Sequence, residues 1–164
     1  MFRNVAELVS LAERENKKIS EIMIEQEVRV TGRTREEVIA KMEQNLDVME
    51  KAIERGLAGV QSHSGLTGGD AVLLQQYIAK GNSLAGELLL DAVSKAVATN
   101  EVNAAMGIIC ATPTAGSAGV VPGTLFAIKN KLKPTREQMV AFLFTSGAFG
   151  FVVANNASIS GAAG

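Results

Sequence analysis

One cysteine, one histidine, one tyrosine and no tryptophan stand in this chain of 164 residues. A lone thiol excludes an internal disulfide, and one cysteine with one histidine cannot fill a His/Cys zinc site. The start of the chain lacks the basic, apolar and small-residue pattern of a secretory leader, so a cytoplasmic protein is expected. Neither a Gly-x-x-x-x-Gly-Lys-Ser/Thr phosphate loop nor a Gly-x-Ser-x-Gly nucleophile elbow is present. The formal net charge of -1 gives no electrostatic reason to expect nucleic acid or an anionic membrane surface as a partner. The charge-free run Met139 to Ala154 is 16 residues long, short of the roughly 20 that a membrane-crossing helix needs, so no membrane span is expected. Aromatic residues make up 4% of the chain against 47% hydrophobic residues and 16 glycines, which predicts a core of Ala, Val, Ile, Leu and Met with closely approaching backbones.

What charge there is lies to one side. Residues 1 to 60 hold 22 of the 33 charged side chains, and 61 to 164 hold the rest. The length suits one domain, read here as a single helical domain over 1-164 with a charged region 1-60 and an apolar, pocket-forming region 61-164. Helical spacing and caps predict a first helix from Asn4 with Glu7 three residues on, and a second from Ile19 to about Val30, ended by Thr31-Gly32. Thr34-Arg35-Glu36-Glu37 reads as a capping box opening a third helix with Val38, Met42, Leu46, Met49 and Ile53 on one face, ending near Gly56. A short helix follows with Asp70 as its N-cap, stopped by Gly81-Asn82. Ser83 caps another that runs to Thr99-Asn100. Ile108 to Cys110 is either a short strand or an extended connection, since three apolar residues do not separate the two. Lys129 to Pro134 reads as an exposed turn, and Thr135 with Gln138 as a second capping box. The run beyond it, interrupted by Ser146-Gly147 and Gly150, reads as a buried helix packed closely against neighbours. The fold class is mostly α, with glycine-rich loops.

Three small-polar clusters punctuate the apolar part. The first packs Ser62, His63, Ser64, Gly65, Thr67, Gly68, Gly69 and Asp70 into nine residues. Its glycines permit positive φ and close approach of the backbone to a bound group. If Asp70 caps the next helix, the loop lies at a helix N-terminus, which attracts an anion such as a substrate carboxylate. The second holds Thr112, Thr114, Gly116 and Ser117, and the third Asn155, Ser158 and Ser160. Converging, they would make a donor-rich pocket of little fixed charge, suited to a small zwitterion. The same residue types also cap helices and make plain turns. Ser62 or Ser64 with His63 and Asp70 has the residue types of a hydrolase triad, but adjacency in sequence does not supply the spatial relay. Cys110, among Ile108, Ile109 and Ala111, reads as a buried inert thiol.

Ser62-His63-Ser64-Gly65-Leu66-Thr67-Gly68-Gly69-Asp70-Ala71, the stretch from Ala111-Thr112-Pro113-Thr114 through Gly116-Ser117 to Pro122-Gly123, and Asn155 with Ala157-Ser158-Ile159-Ser160-Gly161 occur in this order. Together they resemble the alpha subunit, or alpha domain, of bacterial iron–sulfur-dependent L-serine dehydratase, over the whole chain. The resemblance implies conversion of L-serine to pyruvate and ammonia without pyridoxal phosphate, in partnership with a beta subunit. It also implies a [4Fe–4S] cluster held by three cysteines, one iron being open to the substrate hydroxyl as a Lewis acid. The clusters above would then hold the carboxylate and ammonium of serine; the resemblance names no base. The family's cluster cysteines lie downstream of the Asn-Ala-Ser-Ile-Ser-Gly motif, and Cys110 does not match one. The chain is accordingly expected to be an N-terminal portion of an alpha subunit that has no metal ligands of its own, binds no cluster, is inactive alone and tends to self-associate through the apolar surface near Met139 to Ala154. The alternative is a non-catalytic amino-acid-binding or subunit-assembly module.

Overall fold

The computed structural model describes residues 2–81 and 83–158. Seven helices and no strand occur among the described residues: α1 (Val5–Glu15), α2 (Ile19–Thr31), α3 (Arg35–Leu57), α4 (Asp70–Ile78), α5 (Glu87–Ala104), α6 (Val120–Leu132) and α7 (Arg136–Asn156). Ile108 to Cys110 is therefore the extended connection, not a strand. Contacts divide the chain into two compact units, Met1–Gln44 with Thr135–Gly164, and Asn45–Pro134. This division does not follow the change in charge density near residue 60.

Local chemistry sets most helix ends. Asn4 Oδ1 accepts from the Glu7 amide at 2.9 Å, and Gly32 closes α2 at φ +69°, where a residue without Cβ carries no steric cost. Thr34 and Glu37 bond reciprocally, at 2.8 and 3.2 Å, to open α3. Thr135 and Gln138 do the same for α7. Replacing Thr135 by Ala removes the oxygen that accepts from the Gln138 amide at 3.2 Å. The expected cost is about 1 kcal/mol, read as a lowered thermal midpoint with unchanged helix content at 20 °C.

In the first unit α1 and α7 both pack with α2 around Phe2, Leu8, Ile22 and Ala148, and Phe2 meets Phe151 edge-on at 5.4 Å. Asn156 Nδ2 donates to the Arg3 carbonyl at 2.7 Å, joining the two ends of the unit. Phenylalanine thus shares the core with the aliphatic residues, Phe126 and Phe144 being buried as well. Met139, Val140, Leu143, Phe144 and Ala148 are covered, while Phe149 and Val153 remain exposed. α7 is consequently buried along one face only. Gly147 and Gly150 lie against open space, contrary to the close packing expected of them. With its polar ends included, α7 has 21 residues, and its most apolar stretch reaches a mean hydropathy of 1.4, long and apolar enough to cross a membrane by length and composition alone; a third of that stretch is buried within the protein.

In the second unit α5 is the central helix, packing against both α4 and α6. Small residues let the backbones approach. A Cβ placed on Gly56 of α3 would lie 2.6 Å from the Ala98 Cα, one on Gly119 2.9 Å from the Ala96 Cα, and one on Gly123 2.7 Å from the Ala92 oxygen. Between α4 and α5, Gln75 Nε2 donates to the fully buried Ser94 hydroxyl at 2.5 Å, and Asp91 takes a hydrogen bond from Lys95. α6 is the helix that the sequence pattern does not announce. Pro122 is the third residue of the helix, within the first turn, where a missing N–H leaves no bond unmade. α6 continues through Lys129 and Lys131, so the exposed turn shrinks to Lys133-Pro134, with Lys133 at φ +47°. Lys129 reaches back to Glu50 of α3 at 2.5 Å and lies 5.2 Å from the centre of the Phe126 ring.

Candidate functional site

The loop between α3 and α4 folds on itself before the helix begins. The Ser62 amide donates to the Thr67 carbonyl at 2.8 Å, the Thr67 amide returns to Ser62 Oγ at 3.1 Å, and Gly65 N–H bonds the Ser62 carbonyl at 3.0 Å. Ser62 is buried, its hydroxyl 3.2 Å from that of Ser64, and Gln61 Nε2 holds the Gly65 carbonyl from outside at 2.8 Å. Gly65, Gly68 and Gly69 take φ of +73°, +139° and +91°, which side-chain-bearing residues rarely adopt. Gly68 also passes so close to the Val60 carbonyl that a Cβ there would stand 2.8 Å from the Gln61 Cα. The serines are thus spent on shaping the loop. His63, Thr67 and Asp70 are exposed, and their side chains make no hydrogen bond among the described residues.

Asp70 is not the N-cap. Gly69 occupies that position without a side-chain bond, and Asp70 is the first helical residue. The capping oxygen comes from Glu101, 31 residues away on α5. Its Oε1 accepts from the Asp70 amide at 2.6 Å and makes a longer contact with the Ala71 amide at 3.4 Å. Glu101 is 2% exposed, and among the described residues it pairs with no cation and its buried Oε2 has no hydrogen-bond partner. The α4 N-terminus is therefore already occupied by an internal carboxylate, and a substrate carboxylate would meet like charge there. No motif includes Glu101, which lies far in sequence from the cluster it touches. The available signal was its isolation, as the only charged residue between Lys95 and Lys129.

The second cluster is closed upon itself. Thr112 Oγ1 donates to the Ser117 carbonyl at 3.0 Å, Ser117 Oγ to the Thr112 carbonyl at 2.9 Å, and the Thr114 and Ser117 hydroxyls stand 2.9 Å apart across a cis Thr112–Pro113 bond. The cluster forms the entry to α6, with Gly116 exposed. Both these clusters belong to the second unit, and no hydrogen bond joins one to the other among the described residues. In the first unit, Asn155 lies exposed in the last turn of α7, which extends past the expected end at Ala154, and Ser158 is exposed just beyond it. Ser160 lies outside the described residues.

Residues 14–164 match the family model for the serine dehydratase alpha chain. The chain is 70% identical over its full length to a probable L-serine dehydratase alpha chain of Bacillus subtilis, of which it covers 55%. It is 31% identical over its full length to the L-serine dehydratase alpha chain of Peptoniphilus asaccharolyticus, covering 56% of that protein. Against L-serine dehydratase TdcG of Escherichia coli the identity is 29%, with 98% of this chain and 36% of the relative aligned. The chain thus spans about half the length of the alpha chains it matches, and no solved structure matches it. With a family match that takes in loop and helices alike, the chain belongs to the serine dehydratase alpha chain family.

Proposed function

We propose that this chain forms part of a cytoplasmic L-serine ammonia-lyase, working with a beta subunit, and that the loop Ser62 to Asp70 serves its substrate. The observation that carries this reading is the division of labour in the loop: Ser62, Ser64 and three positive-φ glycines build a fixed frame, and His63, Thr67 and Asp70 are left unspent on its outside. A hydroxyl, an imidazole and a carboxylate on a preshaped loop offer donors to the serine carboxylate and an acceptor to its ammonium. Because Glu101 already fills the α4 end, the carboxylate falls to Thr67 and His63 rather than to the helix amides.

The chain's own residues do not fit a [4Fe–4S] cluster. Cys110 is the single cysteine and already takes part in an interaction within the protein, and no group of three His, Cys, Asp or Glu side chains among the described residues is placed to hold a metal ion. Where the complete enzyme uses such a cluster, its thiolates come from elsewhere, and this chain by itself turns over no serine. The roles assigned here are binding and orientation of the amino acid, without pyridoxal phosphate.

Thr67→Ala in the complete enzyme tests the reading, because among the described residues the Thr67 hydroxyl makes no bond whose loss would disturb the loop. Removing one hydrogen bond to a charged ligand is expected to raise KM for L-serine about tenfold. Unchanged KM and kcat, with the loop intact, would rule out substrate contact at Thr67 and favour a binding or assembly role for the chain.

A further inference from the structure

We infer that Glu101 is a positioning residue, the clamp that fixes the loop Ser62 to Gly69 onto the rigid helix α5. Three observations combine. The carboxylate is buried in a helix whose other buried side chains include Ala98, Thr99 and Val102, a costly place for a charge without a cation. Its Oε1 takes the Asp70 amide, the first donor after the loop, at a helix end where Gly69 stands as N-cap without a side-chain bond. The buried Oε2, one carboxyl width away, has no partner among the described residues, so the group's bonds within them lie at this junction alone. A local Ser, Thr, Asp or Asn at the N-cap would suffice for the helix end alone. A cap supplied across 31 residues instead ties the loop's exit to a second element, and the geometry of the unspent side chains to that tie.

The inference rests on the loop's proposed role in serine binding, and two measurements separate the two. Hydrogen exchange of this chain is followed at the Asp70 and Ala71 amides and over residues 60 to 72, for Glu101→Ala and Glu101→Gln. Serine kinetics are measured on the complete enzyme bearing the same changes. Glu101→Ala is expected to speed exchange at the two amides about tenfold, while the buried amides of α6 keep theirs. Glu101→Gln, which retains an accepting oxygen, is expected to restore protection to within about threefold of the parent chain. In the enzyme, Glu101→Ala should raise KM for serine more than it lowers kcat, with rescue by Gln; general destabilisation would give neither the split nor the rescue. Unaltered exchange in Glu101→Ala overturns the clamp and leaves the substrate role of the loop standing. Faster exchange with unaltered serine kinetics overturns the link to substrate, and locates the failure in the reading of the loop rather than in the clamp. Should the alanine variant fail to fold, the Gln variant carries the test. With the charge gone and the acceptor kept, protection below a tenth of the parent value overturns the clamp as drawn.

Discussion

Replacing Gly56 by Ala is expected to destabilise the protein by about 3 kcal/mol, although the same change in an exposed helix interior stabilises by up to about 1 kcal/mol. Gly56 lies in the last turn of α3, and the new methyl would stand 2.6 Å from the Ala98 Cα and still nearer its carbonyl oxygen. Those are backbone atoms in the middle of α5, so nothing as cheap as a rotamer change relieves the overlap, and the helices must separate. The sign of the effect decides between propensity and packing. Urea unfolding is the measurement, with the midpoint expected to fall at an unchanged slope. A midpoint at or above that of the parent chain would show that α3 and α5 do not meet at this register.

Gly68→Ala should be the most damaging change in the loop, and Gly69→Ala is its control. Both positions have positive φ, +139° and +91°, so both pay for an unfavourable backbone, about 1 to 2 kcal/mol each. Only Gly68 also meets a wall, the Val60 carbonyl and the Gln61 Cα, whereas a Cβ on Gly69 meets nothing within 4 Å. Overpacking adds about 1 to 3 kcal/mol at Gly68 alone. The expected order is therefore Gly68→Ala well below Gly69→Ala in stability. In the complete enzyme, serine turnover should fall at least about tenfold further in the first variant, since the Ser62–Thr67 closure that shapes the loop lies beside it. Equal stabilities for the two variants would mean that the loop does not press against residues 60 and 61.

What could be read directly from the residues was local. Asn4 with Glu7, Thr34 with Glu37, Thr135 with Gln138 and the terminator Gly32 are all settled within one turn of chain, and each appears where its pattern places it. The errors share a different cause. Asp70 has the right chemistry for a cap, but Gly69 precedes α4 and the acceptor arrives through space from Glu101; Ser83 accepts from the Ala85 amide instead, and Gly86 precedes α5. No helix is expected from the residue pattern over 120–132, where Gly123 lies against Ala92 and Ala96. Gly147 and Gly150 could not be told from Gly119 and Gly123 by pattern, yet one pair faces open space and the other faces a helix backbone. For the site, the first cluster could be recognised as a shaped loop from its glycines. The partition between hydroxyls that build it and those left outside depends on hydrogen bonds that spacing does not fix.

The glycine and alanine seam around α5 has a mechanical consequence. Side chains that interdigitate can give way by changing rotamer, but backbone pressed against backbone has no such play, and Gly56, Gly119 and Gly123 bring α3 and α6 against α5 in that way. α5 therefore behaves as an anvil within its unit, stiff to sliding and to rolling. Movement between the loop and α5 is therefore confined to the loop's side of the Glu101 junction, while the helix beneath stays still.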